Sequence, residues 1–190
     1  MDEQRRKGCK MQTSQATSCL LRRIPIHSVL SPENAKDVLA YVHASAGRIS
    51  GITLISEEER KNCSTRITSE EDRVILEEVM LWIRDFLEGR NTRISFPVHE
   101  EGTEFQKQVW AALRTIPRGE TRTYLEIAES LGRPGAVRAV GAACGANPLL
   151  LYTPCHRVVG SSGKLGGFSC TGISKERLIE LEKKLLAMNG

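Results

Sequence analysis

The sequence has no long apolar stretch, no regular cysteine spacing and no strong excess of one charge. No secretory or membrane-spanning segment is visible in its 190 residues. The 6 cysteines lack the close spacing of a disulfide framework, which indicates a reducing compartment, the cytoplasm or the nucleus. A net charge of +4 does not by itself indicate a nucleic-acid partner. With 40% hydrophobic and 26% charged residues, the composition is that of an ordinary globular protein.

Positive charge is concentrated in one part of the chain. Residues 114–138 carry only three glutamates against five arginines, which are Arg114, Arg118, Arg122, Arg133 and Arg138. This distribution predicts a basic side next to the most distinctive motif of the chain, the Cys-His pair described below.

That motif is Pro154-Cys155-His156-Arg157-Val158, which follows an apolar run. A thiol attacks as the thiolate, and a neighbouring imidazole, a nearby cation or a helix N-terminus lowers its pKa. Pro154 favours a turn, in which Cys155 and His156 can face one site, whereas a continuous strand would point them apart. The sequence therefore predicts a nucleophilic thiol. The alternative is a buried structural cysteine beside a surface histidine.

The first half of the chain has mixed helix and strand patterns. Residues 1–19 are polar and predict a loose tail, and 20–29 predict an extended segment. Ser31-Pro32 predicts the start of a helix that presents Val38, Tyr41 and Val42 on one face and ends at Gly47. Residues 49–55 predict a strand. Ser69 predicts the cap of a core helix that ends near Gly89.

The second half is helical. Thr103 and Thr123 each begin a capping box, and both are followed by apolar residues at helical spacing. A third helix is predicted from Pro134, after the Gly132-Arg133-Pro134 connection, so the last two form a helix-turn-helix pattern. A final helix is predicted over 174–186, with Leu178, Leu181 and Leu185 buried.

The third helix carries a stripe of small residues beside Arg138. We call Gly135, Ala139, Ala142 and Ala146 the small-residue stripe. Such a stripe packs closely on another helix, or it lets the backbone approach a DNA groove while Arg138 reaches into the duplex. The sequence leaves both alternatives open.

Two later features also have two interpretations. Residues 160–168 are rich in glycine and predict either a plain hairpin loop or a loop that approaches a flat or bulky group. Glu182 falls among the leucines of the last helix. It is either a glutamate at the rim that reaches water or the partner that orients His156.

With these motifs in view, the sequence resembles the O6-alkylguanine-DNA alkyltransferases over roughly residues 81–188. The matching stretches, in order, are Gly102-Thr103-Glu104-Phe105-Gln106, Val109-Trp110, Ile116-Pro117, Thr123-Tyr124, Arg138-Ala139-Val140-Gly141, Asn147-Pro148, Pro154-Cys155-His156-Arg157-Val158 and Glu182. The resemblance implies an α+β fold. A ribonuclease H-like domain would cover residues 1–97, and a winged-helix-like (helix-turn-helix) alkyltransferase domain would cover residues 98–190, with the boundary near Pro97.

The resemblance also implies a role for each matching catalytic residue. Cys155 is similar to the acceptor that takes the alkyl group irreversibly, so each molecule acts once. His156 would take the thiol proton through a bound water, and Glu182 would stabilise the imidazolium. Asn147 would hold the turn that carries Cys155, and Tyr124 would donate a hydrogen bond to the departing base.

DNA contacts and the substrate pocket follow from the same resemblance. Arg138 is similar to the arginine that fills the gap left by a flipped nucleotide, and Tyr124 would crowd the target phosphate. Gln106, Arg133 and Ser161 match positions that contact phosphate. The backbone at Val158 and Ser169 would read the base edge, and Phe168 and Cys170-Thr171 depart from the common family residues at the pocket wall.

The function implied is direct repair of O6-alkylguanine, and possible action on O4-methylthymine stays open. The expected partner is double-stranded DNA, bound by a monomer in the nucleus, or in the cytoplasm of a prokaryote, without a membrane or a cofactor. Some relatives bind zinc, but Cys9, Cys19, His27, His43 and Cys63 do not reproduce their ligand spacing. A non-catalytic sensor of alkylated DNA and a winged-helix regulator are the rival hypotheses.

Overall fold

A computed structural model describes residues 17–24, 38–90, 93–168, 170 and 172–189. The first half forms an antiparallel sheet in the order β1-β2-β3, from β1 (Ser18–Ile24), β2 (Val38–Ser45) and β3 (Arg48–Ile55). α1 (Glu70–Leu87) packs on β2 and buries Ile75, Val79, Trp82 and Phe86. Ser69 caps α1 by accepting a hydrogen bond from the Asp72 amide, so the predicted core helix is confirmed.

The predicted helix that would end at Gly47 is wrong over its described part, because Val38–Ser45 is β2. β2 is the middle strand and is buried on both faces, with Val42 toward α1 and Tyr41 in a smaller cluster with Cys19. A strand covered on both faces is almost continuously apolar, and such a run fits helical spacing equally well. Residues 25–37, where that helix would begin, lie outside the described residues, as does most of the predicted tail.

The second half contains the predicted helices. These are α2 (Glu104–Arg114), α3 (Tyr124–Ser130), α4 (Val137–Gly145, preceded by a 3₁₀ turn at Pro134–Ala136) and α5 (Lys175–Asn189). Both capping boxes are formed, at Thr103 and Thr123. β4 (Arg122–Thr123) and β5 (Val158–Val159) make a short parallel pair. The predicted α+β class is confirmed.

The outer edge of β3 joins the two halves. The Ile49 amide donates to the Pro97 carbonyl at 3.0 Å, and the Ile52 amide donates to the Pro148 carbonyl at 2.9 Å. The Gly172 amide donates to the Leu54 carbonyl at 3.0 Å. One cluster of buried apolar side chains also extends through both halves. The segment that leads to Cys155 is therefore attached to the sheet.

Candidate active site

Asn147 organises the turn that carries Cys155. Its side-chain oxygen accepts from the Leu149 amide at 3.0 Å, and its Nδ2 donates to the Thr153 carbonyl at 2.8 Å. The same Nδ2 lies 3.2 Å from the Cys155 sulfur. Asn147 therefore fixes the backbone of the turn and contacts the thiol with a single amide group.

Cys155 begins a 3₁₀ turn that runs to Arg157, and it is buried. Burial raises the pKa of the Cys155 thiol, while the hydrogen bond from Asn147 and the charge of Lys175 act in the opposite direction. Burial has the larger effect, contrary to the lowered pKa that the motif suggested. The resting thiol is therefore protonated and needs a base before it can attack.

His156 is fully buried, and its Nε2 lies 2.9 Å from Glu182 Oε1. A carboxylate accepts, so this contact places the ring proton on Nε2 and leaves the Nδ1 lone pair free. Nδ1 has no hydrogen-bond partner among the described residues. Burial lowers the pKa of His156, although the bond to Glu182 opposes this, so the neutral ring can accept a proton.

Arg157 and Gly119 complete the surroundings of Glu182. Arg157 Nη2 donates to Glu182 Oε1 at 2.7 Å, and its Nε donates to Oε2 at 3.0 Å. The Gly119 amide donates to Oε2 at 3.0 Å. Burial would raise the pKa of Glu182, but the hydrogen bonds from His156 and Arg157 outweigh it and lower the pKa to about 2. Glu182 is therefore a buried carboxylate in an ion pair, and the alternative of a glutamate at the rim is wrong.

Tyr124 begins α3 and is half-buried beside a buried lysine. Lys175 Nζ lies 3.4 Å from the Tyr124 hydroxyl and 5.5 Å from the centre of its ring. Burial raises the pKa of Tyr124, and interactions with Cys144 and Cys155 raise it further. The phenol therefore stays protonated and can donate a hydrogen bond toward the thiol site.

The glycine-rich loop lies against Tyr124. A Cβ built on Gly166 would lie 2.6 Å from the Tyr124 hydroxyl oxygen, so a side chain at this position would collide with the tyrosine. The Gly160 amide donates to the Lys164 carbonyl at 2.7 Å within the loop. The loop is thus closed by its own backbone hydrogen bond and also lies close to the flat ring of Tyr124, so the structure has features of both interpretations.

The small-residue stripe is exposed along α4 and the turns at its two ends. The opposite face of α4 buries Val140, Ala143 and Cys144. The alternative in which the stripe packs on another helix is therefore wrong for the described residues. Arg138 is also exposed, and no ion pair or hydrogen bond is found for it in the described parts of the chain. It is available to a partner molecule.

The remaining predicted contact residues lie on the same half of the molecule. Gln106 is half-buried, and its side-chain oxygen accepts from the Thr103 amide. Arg133 is exposed, with its guanidinium 5.4 Å from the centre of the Phe105 ring. Ser161 is exposed in the glycine-rich loop, Val158 is buried in β5, and Phe168 is half-buried against the core. Ser169 and Thr171 lie outside the described residues.

Two arginines of the predicted basic side point inward. Arg114 pairs with Glu100, and Arg118 lies over the Phe86 ring with its carbon 4.6 Å from the centre. The predicted basic side is therefore smaller than the sequence indicated.

Arg157 and Lys175 were missed because each meets a partner far away in the chain. The position of Arg157 directly after the Cys-His pair could have indicated its role. No feature of the sequence indicated a role for Lys175.

No group of three or more His, Cys, Asp or Glu side chains able to hold a metal is found in the residues that the structure covers. Cys9 and His27, two of the residues weighed as zinc ligands, lie outside them. Among the helices that can be described, none is long and apolar enough to cross a membrane.

The fold and the site define a class of protein in which an α+β chain buries a Cys-His-Glu group next to a set of short helices. Residues 104–184 match the family described as 6-O-methylguanine DNA methyltransferase, DNA binding domain. The inducible methylated-DNA--protein-cysteine methyltransferase of Bacillus subtilis is 46% identical over 114 residues, which are 60% of this chain and 64% of that protein. The Methanosarcina barkeri protein of the same function name is 45% identical, over 61% of this chain and 73% of its own length.

Solved structures agree. A Mycobacterium tuberculosis OGT in complex with DNA superposes with a TM-score of 0.65 at 35% identity, covering 77% of this chain and 88% of that one. The M. tuberculosis O6-methylguanine methyltransferase also gives 0.65, at 32% identity, covering 90% of this chain and 99% of that one. The chain belongs to the 6-O-methylguanine DNA methyltransferase family, as the resemblance indicated.

The chain aligns with just under two thirds of the Bacillus protein. The relatives named here are bacterial and archaeal, which gives no support to a nuclear location.

Proposed function

We propose that this protein repairs DNA by transferring an alkyl group from O6 of guanine to the Cys155 sulfur in a single, irreversible turnover. The observation that carries the proposal is the Cys155 thiol, held by Asn147 beside a buried neutral imidazole that is itself bound to Glu182. A structural cysteine would need none of these polar neighbours, which are costly to bury.

The first step is activation of the thiol. His156 takes the proton from Cys155 through a bound water, because its free Nδ1 is the available acceptor. Glu182 then stabilises the imidazolium and keeps the ring in one tautomer. Since Arg157 neutralises part of the Glu182 charge, that stabilisation is moderate, and the imidazolium can give up its proton once the alkyl group has been transferred.

The second step is in-line displacement at the alkyl carbon. The sulfur forms a bond to carbon, the carbon–oxygen bond breaks, and its electron pair remains on guanine. Tyr124 donates its proton to the departing base, and the His156 imidazolium returns the proton taken from Cys155 to Tyr124 through water, so the net result is transfer of the thiol proton to guanine. The buried ammonium of Lys175 beside the Tyr124 hydroxyl favours this movement of negative charge toward the base. The products are guanine and S-alkylcysteine, and no cofactor takes part.

The third element is access to the base. We propose that the exposed small-residue stripe lies along the minor groove, where its lack of side-chain bulk lets the backbone approach closely. Arg138 enters the space left when the damaged nucleotide is flipped toward Cys155. Gln106, Arg133 and Ser161 contact phosphates. The backbone near Val158 and Ser169, with Phe168 at the wall, receives the flipped base.

One experiment tests the proposal against its rivals. The full chain is incubated with a duplex that contains O6-methylguanine, and the mass of the protein and of its Cys155 peptide is measured. Transfer adds one methylene, about 14 Da, to the reactive thiol. Unchanged mass with tight, lesion-specific binding supports a non-catalytic sensor, and binding that ignores the lesion supports a winged-helix regulator.

The Cys155→Ala variant separates binding from transfer. We expect it to retain lesion binding, because the pocket and α4 are unchanged, and to lose all transfer, because the acceptor sulfur is gone. Retained demethylation by this variant would overturn the proposed acceptor.

We also propose the finer organisation that the resemblance implied, a ribonuclease H-like domain over 1–97 and a winged-helix-like domain over 98–190. Limited proteolysis tests the boundary, since cleavage should concentrate near Pro97 if two units meet there. The proposed compartment is the one that holds the DNA of the cell, which is the cytoplasm in a prokaryote, and the protein acts on DNA as a monomer. A fluorescent fusion and sedimentation with duplex test these two points.

A further inference from the structure

Arg114, the last residue of α2, lies against the turn that precedes the nucleophile. Its Nη1 donates to Glu100 Oε1 at 2.6 Å and to the Thr153 hydroxyl at 3.0 Å. Its guanidinium carbon is 5.3 Å from the centre of the Tyr152 ring. One cation, itself fixed by a carboxylate, thus contacts the two residues that come just before Pro154-Cys155.

Thr153 connects this cation to the thiol. It is fully buried, and its carbonyl accepts from Asn147 Nδ2 at 2.8 Å and from the Cys155 amide at 2.8 Å. Asn147 Nδ2 is the same group that lies 3.2 Å from the Cys155 sulfur. A rotation of the Thr153 peptide would therefore move both the amide that contacts the thiol and the start of the 3₁₀ turn that carries it.

The turn also needs support from outside itself. Leu151 has a φ of 69°, a left-handed conformation that a residue with a branched side chain rarely adopts. Such a conformation persists only where the surrounding contacts determine it. The Arg114–Thr153 hydrogen bond and the Arg114–Tyr152 contact are interactions of this kind, and both come from another element.

We propose that Arg114 is a positioning residue for alkyl transfer, which acts through Thr153 and Asn147 to hold the Cys155 sulfur in line with the alkyl carbon. The inference rests on the proposed function, because the reaction it serves is that transfer. Arg114 touches neither the thiol nor the small-residue stripe in the contacts described, so its effect should fall on the chemical step and not on DNA affinity.

Arg114→Met removes the cation and keeps most of the apolar stem. We expect the single-turnover rate constant at saturating lesion to fall about tenfold, since small misplacements of reacting atoms are costly. Lesion affinity should stay unchanged. The Cys155 thiol should also titrate at higher pH, because the Asn147 hydrogen bond that lowers its pKa is disturbed.

Thr153→Val provides an independent test that keeps the Arg114–Glu100 pair. It removes only the hydroxyl that Arg114 reaches, so it should reproduce the rate loss, and the double variant should be no slower than Arg114→Met alone. Arg114→Lys keeps the charge and should recover part of the rate. Arg22→Met, which breaks the exposed Arg22–Glu77 pair far from the site, is the matched control and should change nothing.

The measurement has two arms, both on the full chain. One follows transfer from an O6-methylguanine duplex, and the other follows alkylation of Cys155 by iodoacetamide against pH, with the site located by peptide mapping. The second arm needs no DNA, so it reads the position of the thiol even if the wild-type protein fails to demethylate. An unchanged pH profile and rate in both Arg114→Met and Thr153→Val, or a loss of duplex affinity alone, would overturn the inference.

Discussion

Glu182 is the buried carboxylate that the other polar groups of the site contact. It accepts from His156, Arg157 and Gly119, and it is fully buried. A buried ion pair contributes little when it is intact, but removing one partner leaves the other charge uncompensated. Glu182 therefore affects stability as well as chemistry, and the two effects can be measured separately.

We expect Glu182→Gln to lower the free energy of unfolding by about 3 kcal/mol at pH 7, because Arg157 is left buried without its counter-charge. The pKa of Glu182 falls from 4.5 to about 2 on folding, so its contribution is present above pH 4.5 and is lost as the pH falls toward 2. Urea denaturation from pH 7 to pH 2 should show the wild-type curve approaching that of the variant in this window. A constant difference would contradict the assignment.

Lys175 should support activity without contributing to stability. It is buried, and no carboxylate is found with it in the described residues, so Lys175→Met removes a costly desolvation and should leave the melting temperature unchanged or higher. The charge of Lys175 lowers the pKa of the Cys155 thiol. The pH at which the transfer rate begins to rise should therefore be higher in Lys175→Met than in the wild type. Lys175→Arg, which keeps the charge, is the control. If the transfer rates of Lys175→Met and of the wild type depended on pH in the same way, an electrostatic effect of Lys175 on the Cys155 thiol would be excluded.

At the scale of single residues, the sequence predicted the Cys-His pair and offered Glu182 as the partner of His156, but it did not indicate the contacts of Arg157 and Lys175. Cys155 and His156 are adjacent in the chain, so local spacing was enough to group them, whereas the role of Asn147 was implied by the family resemblance. Arg157 bonds to Glu182 across 25 residues, and Lys175 meets Tyr124 across 51 residues. Partners at such distances depend on the packing of α5, which no local pattern specifies.

Among the elements, α4 and the turns at its ends have an apolar buried face and an exposed face without large side chains. We expect Ala142→Leu to weaken duplex binding at least about tenfold, because a bulky side chain holds the backbone away from the groove, and to leave stability nearly unchanged at an exposed position. Ala111→Leu, at an exposed position of α2, is the matched control. Fluorescence anisotropy with duplex DNA and thermal melting measure the two effects. Equal affinities for the two variants would remove α4 from the interface.

The helices that Ser69, Thr103 and Thr123 cap were predictable, and the middle strand was not. Ser69, Thr103 and Thr123 all cap where their side chains indicated, because capping depends on residues three positions apart. β2 has no such local signal. It is a strand because β1 and β3 pair with it on both sides, through residues that include Ile24 and Ile55.

For the molecule as a whole, the edge of β3 is the connection between sheet and site. Leu54 accepts from the Gly172 amide and from the Cys170 thiol, just before α5 begins. The same strand bonds to Pro148 and Leu150 on the segment that leads to Cys155. The first half therefore supports both segments that surround the thiol. A substitution that disturbs this edge of the sheet should also lower the rate of alkyl transfer.

Gly172→Ala tests that connection. A Cβ at Gly172 would lie 2.6 Å from the Ile55 carbonyl oxygen, so either the strand or the segment must move. We expect a loss of about 1–3 kcal/mol in the free energy of unfolding and a slower transfer rate. Gly167→Ala, where a Cβ meets nothing within 4 Å, should lose no stability. Denaturation and single-turnover kinetics on both variants provide the comparison. If Gly172→Ala lost stability but transferred at the wild-type rate, the sheet edge would support the fold without positioning the site.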